Sequence, residues 1–177
     1  PNDFNRNPVG FDARRQDFTA GSFGQKNVEG GKLAKTFIDL LQATADPRIS
    51  VYAGVWQGNV QNTALAVQKG FPNGTKTAPP AAEQATYSEP NQSTVFKYDA
   101  PLVLLSNAET HLYLAEAAAR GWYTAETDKD LYEKAVKASF LNMGIYGAGY
   151  AITDATPYLT ANPFNAAGSF EAKMNQI

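Results

Sequence analysis

Between residues 50 and 100 the chain interleaves aromatic side chains (Tyr52, Trp56, Phe71, Tyr87, Phe96 and Tyr98) with amides (Gln57, Asn59, Gln61, Asn62, Asn91 and Gln92). That mixture suits a pyranose. A flat ring stacks on the apolar C–H face of a sugar, and an amide offers its hydroxyls both a donor and an acceptor. Trp56 is the leading candidate, being one of 2 tryptophans and followed directly by Gln57 and Gly58. Tyr52, Tyr87, Asn59 and Gln57 join it as candidate ligand-binding residues. The competing reading is that aromatic residues in loops plug a local core, and loops carry function often enough to keep both readings open.

Other chemistries lack their residues. There is no cysteine, which excludes disulfide scaffolds, thiolate metal sites, thiol catalysis and lipid attachment to a cysteine within this chain. The single histidine, His111, falls on an apolar helical stripe and reads as a buried imidazole hydrogen-bonded to a neighbouring helix, with no catalytic role. The acids are scattered, without a motif that would mark a glycosidase pair. Asp128 and Asp130 stand at a helix start, where the helix dipole accounts for them better than calcium does. Gly30-Gly31 lacks the pattern of a phosphate-binding loop. No motif calls for a cofactor or a metal, while a glycoside hydrolase, which needs two carboxylates facing each other across a cleft, stays open as a further reading.

Composition narrows the partners. Lys+Arg 15 against Asp+Glu 17 gives a formal charge of -2, so there is no basic surplus for nucleic acid. A hydrophobic fraction of 44% over 177 residues is enough to bury a core and excludes disorder throughout. No apolar run approaches the roughly 18 residues that a membrane span needs. The chain opens at Pro1 without a methionine and stops at Ile177 within what reads as a helix, so both ends read as cut.

The elements that must hold the aromatic tract divide at the prolines. None lies between Leu102 and Thr156, and only Pro157 and Pro163 follow, so irregular structure comes first and regular helix second. Residues 1–29 read as an ordered loop. Leu33, Phe37, Leu40, Leu41 and Thr44 share helical spacing over 32–45, and that helix must end by Asp46 because Pro47 follows. Tyr52 to Trp56 and Val95 to Tyr98 are short β-forming runs that pair as strands in this reading.

The second half is helical. Ser106 and Glu109 form a capping box that starts a helix with the stripe Ala108, His111, Leu112, Ala115, Ala118, Ala119 and Trp122. Trp122 reads as core, Glu116 and Arg120 as a supporting pair, and Gly121 as the stop. The next helix starts near Thr127 or Asp128 and buries Leu131, Tyr132, Ala135, Val136, Ser139, Phe140 and Met143. It exposes Asp130 with Lys134 and Glu133 with Lys137, and closes at Gly144. A short connection and facing alanines make the two helices an antiparallel TPR-like pair. Phe170, Met174 and Ile177 share one face of a last helix.

The stretch Pro101 to Trp122, reading PLVLLSNAETHLYLAEAAARGW, resembles the signature helix of SusD/RagB-type outer-membrane lipoproteins of Bacteroidetes. Asp46-Pro47-Arg48 resembles that family's turn after an earlier helix. Leu131 to Phe140 with Gly144 resembles the helix that follows the signature. The likeness covers roughly 30–177.

The resemblance implies a mainly α fold, in which TPR-like antiparallel helix pairs carry long irregular loops and at most a few short strands. It also implies one domain fragment over 1–177, loop-rich over 1–100 with a helix near 32–45, and helical over 101–177. The implied function is non-catalytic capture of an oligosaccharide or other nutrient, on loops, at the cell surface. The implied partner is a SusC-like TonB-dependent transporter of the outer membrane. Attachment to the membrane would be through a lipid anchor outside this chain, which lacks the cysteine. The alternative is a TPR-like protein–protein adaptor that binds a peptide through helix residues such as Tyr113, Glu116 and Arg120.

Overall fold

A computed structural model describes residues 31–74, 79–97 and 100–177. They fall into two compact units, one running to Leu102 and the other from Val103 to Ile177. The loop expected over 1–29 and Tyr98 lie outside the described residues.

In the first unit, α1 (Lys35–Ala43) buries Ile38 and Leu41, which meet Ile49 and Ala53 in a small core, with Leu33, Phe37, Tyr52 and Leu65 packed around it. Of the expected stripe, Leu33, Phe37 and Leu41 lie in or against this core. Leu40, expected on the buried stripe, is 61% exposed, because the face that meets the core is centred on Ile38. The helix closes in a Schellman motif: Asp46 N–H donates to the Leu41 carbonyl and Ala45 N–H to the Gln42 carbonyl. Ala45 occupies the left-handed position, with φ 50.

The Asp46-Pro47-Arg48 turn then starts α2 (Ile49–Tyr52). Asp46, 1% exposed, accepts through Oδ1 from the Arg48 backbone N–H at 2.9 Å and from Arg48 Nε at 3.0 Å. These bonds hold β-branched residues in a helical turn against their own propensity. Buried Asn91 and Thr94 donate to the carbonyls of Ser50 and Val51, which end that turn.

A three-stranded antiparallel sheet follows, in the order β2-β1-β3, from β1 (Ala53–Gln57), β2 (Val60–Asn62) and β3 (Glu89–Pro90). The partner of β1 differs from the one expected. Val95 to Lys97 is a turn, and β1 pairs instead with β2 across the two-residue loop Gly58-Asn59 and with β3 on its other edge. Gly58 has φ +63, as a Gly-first hairpin turn requires. The short helix α3 (Ala81–Gln84) precedes β3.

The second unit is built on α4 (Asn107–Ala119) and α5 (Asp128–Asn142), packed as the expected TPR-like antiparallel pair. Ser106 Oγ accepts from Glu109 N–H at 3.1 Å and the Glu109 carboxylate accepts from Ser106 N–H at 2.7 Å, so the capping box is complete. Ala115 is 0% exposed at the contact between the helices. From α5, Leu131, Tyr132, Ala135 and Phe140 are buried. Tyr132 stacks on Phe164 at 5.0 Å, and Phe140 meets the ring of Tyr158 in α6 (Thr156–Ala161) edge-on at 5.2 Å.

The surface pairs of α5 differ from those expected: Lys134 bonds Glu126 and Lys129 pairs with Glu133 at 3.7 Å. Lys173 of α7 (Phe170–Met174) reaches Asp128 at 2.7 Å, so this acid has a salt-bridge role at the start of α5. Helix α4 ends in a second Schellman motif, with Gly121 at φ +74. The chain reverses there, so Trp122, expected in the core, is 77% exposed. His111 is half-buried, and its Nδ1 has no hydrogen-bond partner among the described residues, where a bond to a neighbouring helix was expected.

Candidate functional site

Alternation along β1 sends Gly54 and Trp56 to one face of the sheet and Val55 and Gln57 to the other. On the Trp56 face, Gln61 stands directly opposite the indole in β2, and Glu89 lies diagonally across in β3, opposite Gly54. Trp56 Nε1 donates to Glu89 Oε2 at 2.7 Å. Lys32 binds the other oxygen of the same carboxylate, and the side chains of Lys32 and Glu89 are only 6% and 3% exposed. Gln61 bridges the strands from above: its amide donates to the Pro90 carbonyl at 3.1 Å, and its oxygen accepts from Gln92 N–H at 2.9 Å. A Cβ on Gly54 would stand 2.8 Å from the Gln61 Cβ, so the lack of a side chain there lets this amide cross the sheet. The result is a half-buried indole whose N–H is bonded to Glu89, opposite a Gln61 amide held by backbone groups.

The five predicted residues separate. Tyr52 is half-buried, with its ring tilted against Phe37 at 5.9 Å. Gln57 is exposed on the opposite face from Trp56 and accepts from Asn62 Nδ2 at 3.1 Å. Asn59 is exposed at the hairpin tip. Tyr87 is 3% exposed, its ring edge-on to Phe71 at 5.0 Å and its hydroxyl donating to Glu83 at 2.7 Å. That bond to Glu83, then burial, raises its pKa. With Lys69 over the ring at 4.4 Å as well, Tyr87 is a packing residue and not a stacking surface for a sugar. Among the other amides, Asn91 is 3% exposed and spent on backbone bonds.

Lys32 and Glu89 were missed by sequence reasoning. They lie 57 residues apart, and Glu89 is 33 residues from Trp56, so no local spacing joins them. Gln61 did carry a signal. Gly58-Asn59 between two β-forming runs marks a two-residue hairpin, and that hairpin sets Gln61 opposite Trp56.

The second unit holds a groove of about 400 Å³ lined by Glu109, Leu112, Tyr113, Glu116 and Arg120 of α4 and its C-cap, with Met174 and Ile177. Arg120 is bound by Glu116 at 2.6 Å, and its guanidinium lies 5.2 Å from the Trp122 ring and 4.9 Å from that of Phe170. Among the described residues there is no group of three or more acids and histidines that would hold a metal, and no helix is long and apolar enough to cross a membrane.

Residues 2–174 match the SusD-like family described as starch-binding and associating with the outer membrane. The chain belongs to this family. Among solved structures, it is similar to a SusD homolog from Bacteroides vulgatus, with 33% identity over 73% of this chain and a TM-score of 0.56. It is also similar to a SusD homolog from Bacteroides fragilis (22% identity, 80% of this chain, TM-score 0.61) and to a chitin-binding protein (23%, 92%, 0.66). The chain spans 24%, 34% and 35% of those three structures, respectively. No curated protein matches it. The SusD-like assignment agrees with the helical, TPR-like architecture and with the motifs at 46–48, 101–122 and 131–144.

Proposed function

We propose that this SusD-like chain contributes the glycan-contacting part of a non-catalytic, surface-exposed binding protein of the outer membrane. It captures an oligosaccharide and passes it to a SusC-like TonB-dependent transporter, with the lipid anchor outside this chain. In this reading the sheet built from the first unit forms the contact and the helix pair is scaffold, within one functional domain. The observation that carries it is the half-buried Trp56 indole, whose only polar atom is bonded to Glu89 at 2.7 Å. The indole stands opposite Gln61 in β2, and an aromatic ring of this kind is what the C–H face of a pyranose stacks on.

Trp56 is the stacking ring. Tyr52 and Asn59 are peripheral contacts, Gln57 faces away from the indole, and Tyr87 is packed against Phe71. The starch-binding description of the family and the chitin-binding neighbour support two probes, maltoheptaose and chitohexaose. Titration calorimetry is expected to show binding of at least one, and Trp56→Ala to weaken it by roughly ten-fold or more, the scale of a lost aromatic stacking contact. Unchanged affinity in that variant would remove the site from the sheet.

A second reading, the TPR-like adaptor, is favoured by the groove at Tyr113, Glu116 and Arg120. It predicts that Tyr113→Ala, and not Trp56→Ala, abolishes binding of a partner.

A further inference from the structure

We infer that Glu89 is a positioning residue for ligand binding: held by Lys32, it fixes the plane in which the Trp56 indole is presented. This rests on the reading of Trp56 as the stacking ring. The two carboxylate oxygens have separate tasks, Oε1 receiving the Lys32 ammonium and Oε2 receiving the indole N–H at 2.7 Å.

Both charges are almost wholly buried, at 6% and 3% exposure. Taking an ammonium and a carboxylate out of water is costly, and a well-packed apolar pair would hold these segments together at least as well. A hydrogen-bond acceptor has a property that an apolar pair lacks. Its bond to the indole N–H is directional, so it restrains the ring about its side-chain torsions. The backbone adds to the restraint, because β3 pairs Glu89 with Gly54, two residues before Trp56 on the same face. A ring whose plane is set before the ligand arrives loses less freedom on binding, which raises affinity without any added contact.

Two conservative variants separate this role from simple charge balance. Glu89→Asp keeps the charge and its partner Lys32 but draws the carboxylate back by one methylene, away from the indole. The double variant Lys32→Met with Glu89→Gln removes both charges and keeps an acceptor for the N–H.

Affinity for maltoheptaose and chitohexaose is read by calorimetry, and the indole N–H by ¹H–¹⁵N correlation. The chain has 2 tryptophans, so Trp122→Phe assigns the Trp56 signal. Glu89→Asp is expected to shift that signal and to weaken binding by about ten-fold, the scale of losing a hydrogen bond to a charged group. The double variant is expected to stay within about two-fold of the parent protein, because its acceptor is retained. A pair that served only charge balance predicts full affinity in Glu89→Asp, which keeps both charges.

Full affinity in folded Glu89→Asp, or a ten-fold loss in the folded double variant, overturns the inference, and either variant alone decides it. If Trp56→Ala weakens binding while Glu89→Asp does not, only the positioning role falls. If Trp56→Ala binds as the parent protein does, or the parent binds neither probe, the reading of Trp56 falls and takes this role with it.

Discussion

At the scale of single residues, the two Schellman motifs make a natural comparison. Gly121 fills the left-handed position at the end of α4 with φ +74, while Ala45 fills the same position after α1 with φ 50. An alanine pays roughly 1–2 kcal/mol for that conformation, partly offset by the larger entropy a glycine loses on folding. Ala45→Gly is therefore expected to stabilise the protein by about 0.5–1 kcal/mol, read as a higher denaturation midpoint at unchanged slope. Phe140 is the opposite case, with 0% exposure and an edge-on contact with Tyr158. Phe140→Ala should cost about 3–5 kcal/mol by removing the ring and leaving a cavity, measured by the same denaturation.

At the scale of elements, α4 depends on its first turn. The Glu109 pKa is lowered, chiefly because the Ser106 backbone N–H donates to the carboxylate and then because the Ser106 hydroxyl does. A depressed carboxyl adds stability that is complete above its unfolded pKa and is lost as pH falls through the folded value. Stability should thus decline on acidification from roughly pH 4.3 downward, the ordinary glutamate value. Glu109→Gln keeps a neutral acceptor in the capping box, so its stability curve should be flatter over that acid limb. An equally steep limb in the variant would assign the acid sensitivity elsewhere. Ser106→Ala removes the cap itself, at about 1 kcal/mol.

At the scale of the whole molecule, the two units carry the two functional readings separately. Trp56, Glu89 and Lys32 lie in the first unit, and Tyr113, Glu116 and Arg120 in the second. Trp56→Ala and Tyr113→Ala are both expected to leave folding intact, since Trp56 is only half-buried and Tyr113 is 65% exposed. Oligosaccharide affinity should fall in the first and stay within about two-fold in the second, because only the first removes a stacking ring. Loss in Tyr113→Ala alone would move the binding surface to the helix pair.

What could be read from the chain alone was what neighbours within one or two helical turns decide. The Ser106–Glu109 box, the Gly121 stop, the Thr127 start of α5 and the Asp46-Pro47-Arg48 turn all depend on contacts close in sequence, and the short connection they leave between α4 and α5 makes the two helices antiparallel neighbours. Those same short motifs carried the SusD-like resemblance that the match over residues 2–174 bears out. Tertiary structure decided the partner of β1, the burial of Tyr87, the exposure of Trp122 and Leu40, and the Lys32–Glu89–Trp56 cluster. These follow from strand pairing and from which helix face meets a core, and periodicity in one segment is silent about the segment it will meet. The aromatic and amide composition of the 50–100 tract pointed to sugar chemistry, but only the pleat of β1 set Trp56 and Gln57 on opposite faces.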